Sequence, residues 1–488
     1  MTQKLIKANQ YIEKEAAGVN QEYRNKFHLM APIGWINDPN GFIYFRGEYH
    51  LFYQYYPYDS VWGPMYWGHA KSKDLMHWEH LPVALAPGDS YDRDGCFSGS
   101  AIEKDGKLYL LYTGHNVDGE KTRQVQCLAV SEDGVNFEKY SKNPVIDEKH
   151  LEGIAECEDF RDPKVFRKGN FFYTVVAAKT VDSRGQILLF QSKDLVEWKF
   201  YSVLLEGEKK QGIMWECPDL FHLDGKDVLI MSPIQMEEEG LSYKNTSSTV
   251  AFIGEVDWES GRFCTENYHE IDFGLDFYAP QTCENSVGER VMVAWMQMWN
   301  RRMPTNELGH GWAGSMTFPR RLSIVDNQLC QRPATSIYQA IKIEHQIKDK
   351  EMVNQTLELK DEVCNQHYMS LEMEMSNHTK INVQYAKGLN EAIIFCYDVE
   401  KELFTLSRER AGHEISGAEK ELLTQRSVVL HGNKLKLEIL RDTSSIEVFL
   451  DGGKAMTVTF FEIEKGRDFS LSVEGSLKLT LESGKINQ

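Results

Sequence analysis

The chain has 488 residues, 73 of them acidic against 54 basic, and a formal charge of -19. That length admits two or three domains with a large buried core, and that charge argues against a duplex nucleic acid or an anionic membrane surface as partner, because both require a basic face. Nine scattered cysteines form neither a disulfide framework nor a metal knuckle, which fits a reducing cytoplasm.

Residues 1–24 read as a helical extension. Leu5, Ile6, Tyr11 and Ile12 are interspersed with Lys4, Lys7, Glu13, Lys14 and Glu15, so the uninterrupted apolar core of a signal peptide is missing. No later stretch approaches the roughly 18 apolar residues of a membrane span. From residue 25 a unit recurs five times, a turn glycine followed by an apolar, aromatic-rich run. Gly47, Gly106, Gly169, Gly225 and Gly288 are its glycines, at intervals of 59, 63, 56 and 63 residues by subtraction. A second landmark keeps the same step: Ser72-Lys73-Asp74, Ser131-Glu132-Asp133 and Ser192-Lys193-Asp194 each follow a β-rich run and precede Trp78, Phe137 and Trp198. Repeats of this length made of short strands without a helical period imply blades of four strands. The expected fold is therefore all-β, with a five-bladed β-propeller over residues 25–333.

After Pro333 the texture changes. Residues 334–360 are polar and charged and read as a linker. Residues 361–488 alternate in short strands, with an Asp451-Gly452-Gly453 turn between two of them, and read as a C-terminal β-sandwich.

In a propeller the innermost strands surround one axis, so equivalent positions of different blades meet in space. Seven to nine residues upstream of three of the hairpin glycines stand Asp38, Asp162 and Glu216, within Asn37-Asp38-Pro39, Arg161-Asp162-Pro163 and Trp215-Glu216-Cys217-Pro218. Carboxylates crowded in a partly desolvated funnel shift one another's ionisation, and a pair of them is what glycoside hydrolysis uses. The bland reading of an Asp before Pro is a turn former, but three acids in register favour a site. Trp35, Trp62, Trp67, Phe97, Tyr278 and Trp295 surround them in sequence, rings suited to a sugar face or to core packing. Asn37, Gln54, Ser98 and Arg161 could bond hydroxyl groups or satisfy backbone. His69, His77 and His80 read as surface or core residues. No cofactor loop or metal cluster is evident.

These residues carry a resemblance. The segments Trp35–Gly41, Phe97–Ser100, Phe160–Pro163 and Trp215–Asp219 resemble the four signature blocks of glycoside hydrolase family 32. This is the family of invertases, bacterial sucrose-6-phosphate hydrolases, inulinases and levanases. The likeness continues through Phe277–Gln281, Ala294–Met296 and Ser445–Phe449. It implies a five-bladed propeller with a C-terminal sandwich and a retaining β-fructofuranosidase acting on sucrose, sucrose 6-phosphate or short fructans without a cofactor. Asp38 would be the nucleophile, Glu216 the acid and then base, and Asp162 the stabiliser of the transition state. Trp35, Asn37, Gln54, Trp62, Phe97, Ser98, Arg161 and Tyr278 would bind substrate. Retention implies a carboxyl separation of roughly 5–5.5 Å between Asp38 and Glu216. The basic stretch Arg301, Arg302 and His310 is a candidate reader of a substrate phosphate, with a solvated loop as the better reading. Rival functions are a fructosyltransferase or fructan exohydrolase, an inverting glycosidase and, outside catalysis, a glycan-binding propeller.

Overall fold

The computed structural model describes residues 2–151, 153–417 and 423–487. A helix, α1 (Gln3–Glu15), opens the chain, capped by the Thr2 hydroxyl on the Leu5 amide and packed through Leu5 and Ala8. Five antiparallel sheets follow, one for each sequence repeat, four with four strands and the first with a fifth strand added. Their first strands are Gly34–Phe45, Gly95–Lys104, Phe160–Lys168, Met214–Leu223 and Tyr278–Glu284. Each of these touches the first strand of the next sheet, and that of the fifth touches that of the first, so the five close a ring.

The repeated residues explain the sheets. The five hairpin glycines all adopt left-handed φ, between 59° and 89°, and in three of the turns the preceding residue, Arg46, Asp105 or Asp224, does so as well. Two left-handed residues make the turn whose twist matches that of the flanking strands. The Ser-x-Asp landmarks are turns between third and fourth strands. In each, the Asp Oδ1 accepts the backbone N–H groups two and three residues on, at 2.8–2.9 Å, in Asp74, Asp133 and Asp194 alike.

The fifth sheet is interrupted between its second and third strands. There the chain leaves as Arg301–Arg302, turns through a short helix, and lays Trp312–Ala313 parallel to Gly34–Trp35 of the first sheet. The end of the ring is thereby tied to its beginning.

Two six-stranded antiparallel sheets form the rest of the chain, with a continuous apolar layer from Met369, Leu371, Val383, Phe395, Leu437, Val448 and Leu479 among others. Residues 334–360, expected as a linker, instead carry the helix Thr335–Ala340 and the strands Ile341–Val353 and Thr356–Leu359. Those strands pair with Ser476–Ile486 and Asp468–Glu474 and are integral to the two sheets. Their polarity reflects an edge position: side chains of Ile341–Val353 alternate between half-buried and exposed over most of its length.

Contacts between the ring and the sheet pair are strongly polar. Arg320, fully buried, bonds Glu447 at 2.6 Å and Asp272 at 2.9 Å. His28 lies between Asp442 and Glu447, at 2.8 and 3.1 Å. Arg426 binds Glu270, and Arg301 and Arg408 share Asp276. Each charge is desolvated, and each is paired, which is the condition under which burial is tolerated.

Candidate active site

One register break recurs in all five inner strands. Between Ile36 and Pro39, Phe97 and Gly99, Arg161 and Lys164, Glu216 and Asp219, and Tyr278 and Gln281, the inner strand gains one residue over its partner. Such a bulge frees residues from the ladder and re-aims them. Inside the bulges lie Asn37-Asp38, Ser98, Asp162-Pro163, Cys217-Pro218 and Ala279-Pro280. Proline is tolerated here because a bulge asks for no ladder N–H. Asp162, Cys217 and Ala279 have φ of 65°, 49° and 51°, strained for residues with a Cβ. The three acids are thus not strictly equivalent: Asp38 and Asp162 lie within their bulges, whereas Glu216 is the last paired residue before its own, opposite Ser232.

The first three bulges open into a cavity of about 500 Å³ whose lining includes Asp38, Asp162 and Glu216. Asp38 accepts the Ser98 hydroxyl at 2.7 Å and the Asn37 amide at 3.2 Å. Glu216 is held from two sides: Arg161 donates to Oε1 from Nε and Nη2, at 3.1 and 2.9 Å, and the Tyr278 hydroxyl donates to Oε2 at 2.5 Å. Asp162 accepts the Cys217 backbone N–H at 2.9 Å. The Cys217 thiol stands between the two aspartates, 3.5 Å from Asp38 and 3.6 Å from Asp162.

Burial dominates the electrostatics. It raises the Asp38 carboxyl above its ordinary range, helped by the charge of Glu216 and opposed by the bonds from Ser98 and Asn37. Asp162 is pushed up to about 7, mainly by burial; the Arg161 guanidinium opposes the rise, and the charges of Glu216 and Asp38 add to it. Burial and Glu216 likewise drive the Tyr278 phenol far up, so it remains a proton donor. Three carboxylates and one guanidinium in a single desolvated space can therefore hold a proton near neutrality.

Of the residues expected to bind substrate, Asn37, Gln54, Trp62, Phe97, Ser98 and Arg161 line the cavity. Trp62 is 47% exposed at its edge, with Phe97 meeting it edge-on at 6.1 Å. Trp35 and Tyr278 stand behind the lining. The Trp35 ring N–H holds the Asn37 carbonyl at 2.8 Å, and Tyr278 holds Glu216. Trp67 and Trp295 are wholly buried core. The basic stretch reads differently in the structure. Arg301 is buried with its guanidinium on Asp276 and Leu275 O, both at 2.6 Å, and His310 is buried against the Tyr23 ring.

Sequence reasoning passed over Cys217, Gln124, Asp159, Trp299 and Asn300. Cys217 adjoins Glu216 and shares its block, a usable signal. Asp159 joins the site by binding Arg161 at 3.0 Å, and Gln124 by accepting from the same guanidinium at 3.2 Å. Trp299 and Asn300 lie in the interruption of the fifth sheet, where no repeat marks them.

The chain matches the model of the glycosyl hydrolases family 32 N-terminal domain over residues 28–333 and that of the family 32 C terminal over residues 335–488. It is 39% identical to a sucrose-6-phosphate hydrolase of Escherichia coli, with 91% of each chain covered. It is 37% identical to a raffinose invertase of the same organism, with 93% of each covered. Among solved structures it is similar to a sucrose-6-phosphate hydrolase from Lactobacillus gasseri, at TM-score 0.87 and 27% identity over 98% of this chain and 96% of that one. It is also similar to a GH32 beta-fructofuranosidase of Bombyx mori determined in complex with sucrose, at TM-score 0.82 and 33% identity over 99% and 98%. With both family models spanning nearly the whole length and the three acids gathered in one cavity, this chain belongs to glycosyl hydrolase family 32.

Proposed function

We propose that the protein is a retaining β-fructofuranosidase that hydrolyses the terminal β-D-fructofuranosyl bond of sucrose or sucrose 6-phosphate. The five sheets are read as the blades of a propeller over residues 25–333, and the two six-stranded sheets, from residue 335 on, as a sandwich. The ring of touching inner strands supports the first reading, and the shared apolar layer supports the second. The nine free thiols suit a reducing compartment, the cytoplasm.

One observation carries the mechanism: Asp38 and Glu216 face one cavity, each held by a different set of donors. Asp38 is the nucleophile. Its carboxylate attacks the anomeric carbon of the fructosyl unit while the bond to the leaving sugar oxygen breaks and Glu216 gives that oxygen its proton. Glu216, now a carboxylate, removes a proton from water, the resulting oxygen attacks the anomeric carbon, and the ester to Asp38 is released. Asp162 bonds the fructosyl hydroxyls and balances positive charge on the ring at the transition state. Asn37, Gln54, Trp62, Phe97, Ser98 and Arg161 complete the fructosyl subsite, with Trp35 and Tyr278 setting Asn37 and Glu216.

The test is direct. Purified protein should release glucose and fructose from sucrose, with β-fructofuranose appearing first by NMR, and Asp38→Asn should lose at least about four orders of magnitude in kcat with its circular dichroism unchanged. An active Asp38→Asn variant would refute the nucleophile, and α-fructofuranose as first product would refute retention. Glucose without free fructose at high sucrose would indicate transfer.

A further inference from the structure

The wall of the cavity is not made by the ring alone. Trp299 and Asn300 line the cavity, and the residues that follow them, Arg301–Arg302, form a two-stranded sheet with Ser416–Gly417, in the connection between the strands Leu403–Arg410 and Gln425–Val429 of the sheet pair. Arg301 then reaches Asp276, whose Oδ1 it binds at 2.6 Å. On the other oxygen of the same carboxylate sits Arg408, from the strand Leu403–Arg410 of the second sheet pair, at 2.5 Å. Thr459 adds its N–H and hydroxyl to that oxygen, at 2.8 and 3.0 Å. Side-chain exposure is 0% for Arg301, 1% for Asp276 and 6% for Arg408.

The clamped segment touches the acids through a short relay. The Trp299 ring stacks on Trp35 at 6.3 Å, the Trp35 N–H holds Asn37, and Asn37 donates to Asp38. Asp276 itself lies two residues before Tyr278, the partner of Glu216. One buried carboxylate thus fixes the roots of two segments that border the cavity.

We propose that Arg408 is a positioning residue for substrate binding: by clamping Asp276, and through it Arg301, it lets the second sheet pair set the cavity wall formed by Trp299 and Asn300. The inference rests on the reading of this cavity as the sucrose site. A wall that contacts substrate alike in ground and transition states acts on KM and leaves kcat in place. Arg408 meets Asp276 through Nη1, a single-nitrogen contact that an ammonium can also make, so lysine should restore much of what an apolar residue loses.

The experiment compares wild type with Arg408→Met, Arg408→Lys and Gly417→Ala, by steady-state kinetics on sucrose alongside thermal melting. Gly417 is an exposed residue whose added Cβ would come 2.5 Å from Asn300 O, so alanine there pushes on the same wall without removing a buried charge. The expected result is a KM raised about tenfold in Arg408→Met and severalfold in Gly417→Ala, with kcat within about threefold of wild type and KM within about threefold in Arg408→Lys. If Arg408→Met fails to fold, Gly417→Ala decides. Folded variants with wild-type KM would overturn the proposal, and so would kcat losses that merely track the folded fraction. A wild-type protein inactive on sucrose would instead refute the activity and leave the clamp to be read by sucrose binding, measured as ligand-induced change in tryptophan fluorescence.

Discussion

Tyr278 donates its phenolic proton to Glu216 across 2.5 Å, from a position that is itself 1% exposed. The same hydroxyl lies 3.2 Å from Ser232 O, opposite Glu216 in the ladder, so the phenol is aimed by the backbone that aims the carboxylate. Glu216 therefore has a fixed direction before any sugar arrives.

Removing that hydroxyl tests its worth. Tyr278→Phe keeps the ring in its packed place and should lower kcat/KM on sucrose about 10- to 100-fold, the range of a hydrogen bond to a charged group. The melting temperature should move by only a few degrees. Unchanged kinetics would show that Arg161 alone suffices to hold Glu216.

Asp162 carries a stability cost that its function demands. Its folded carboxyl titrates near 7, above the ordinary value of 3.8, chiefly because it is buried. The fold thus holds a proton that the unfolded chain has already released, and stability falls as pH rises from about 4 to 7. Asp162→Asn should consequently melt higher than wild type at pH 8, by roughly 2–4 kcal/mol, with the difference gone below pH 4. The same variant should lose about three orders of magnitude in kcat, and the ionisation near 7 should vanish from the pH profile of whatever activity remains. Equal stability of the two proteins at pH 8 would contradict this account.

His28 works in the opposite sense. Burial disfavours its charge, but the bonds it donates to Asp442 and Glu447 outweigh that and raise the imidazolium to about 9, above the ordinary 6.5. The resulting stability is fully present below about 6.5 and is lost as pH climbs through 9. Urea titrations at pH 6 and pH 10 should show the loss in wild type, on the order of 3 kcal/mol, and no comparable step in His28→Gln.

Arg320 offers a test of the contact between ring and sheet pair. Its guanidinium answers both Glu447 and Asp272, which are 1% exposed in their side chains. Arg320→Met leaves buried Asp272 without its cation and Glu447 with His28 alone, and should cost roughly 3–5 kcal/mol. The double variant with Glu447→Gln should recover part of that loss, a coupling that a double-mutant cycle measures.

How much of this could be read from the chain follows the repeat. The hairpin glycines and the Ser-x-Asp turns are local devices, so Gly47 or Asp133 announces itself without knowledge of the partner strand. Asp38, Asp162 and Glu216 were legible because they recur beside those devices. The one-residue offset of Glu216 was not, because a bulge is defined by two strands and only one of them is seen in a motif. Trp35 and Tyr278 carried the right block but the wrong depth: sequence names the ring, and only packing says whether it faces the sugar or the residue that does. Arg301 misled for the same reason. Its charge suggested a solvated loop or a phosphate ligand, whereas Asp276, 25 residues earlier, takes its guanidinium, and Arg408, over a hundred later, shares that carboxylate. The strands within 334–360 were hidden by edge polarity, since in Ile341–Val353 the short apolar alternation of Ile341, Ile343 and Ile347 is diluted by the charged residues between and after them.

The shared bulge separates what the sheets need from what the chemistry needs. A residue released from the ladder can exchange its side chain without altering a single strand pairing, so the ring has five such positions, three of which line the cavity. In this chain they hold a carboxylate at Asp38, a hydroxyl at Ser98, a carboxylate at Asp162, a thiol at Cys217 and a methyl at Ala279. Asp38, Ser98 and Asp162 face the cavity, whereas Ala279 is wholly buried among core side chains, so an exchange at the first three changes the chemistry and an enlargement at Ala279 has to displace packing.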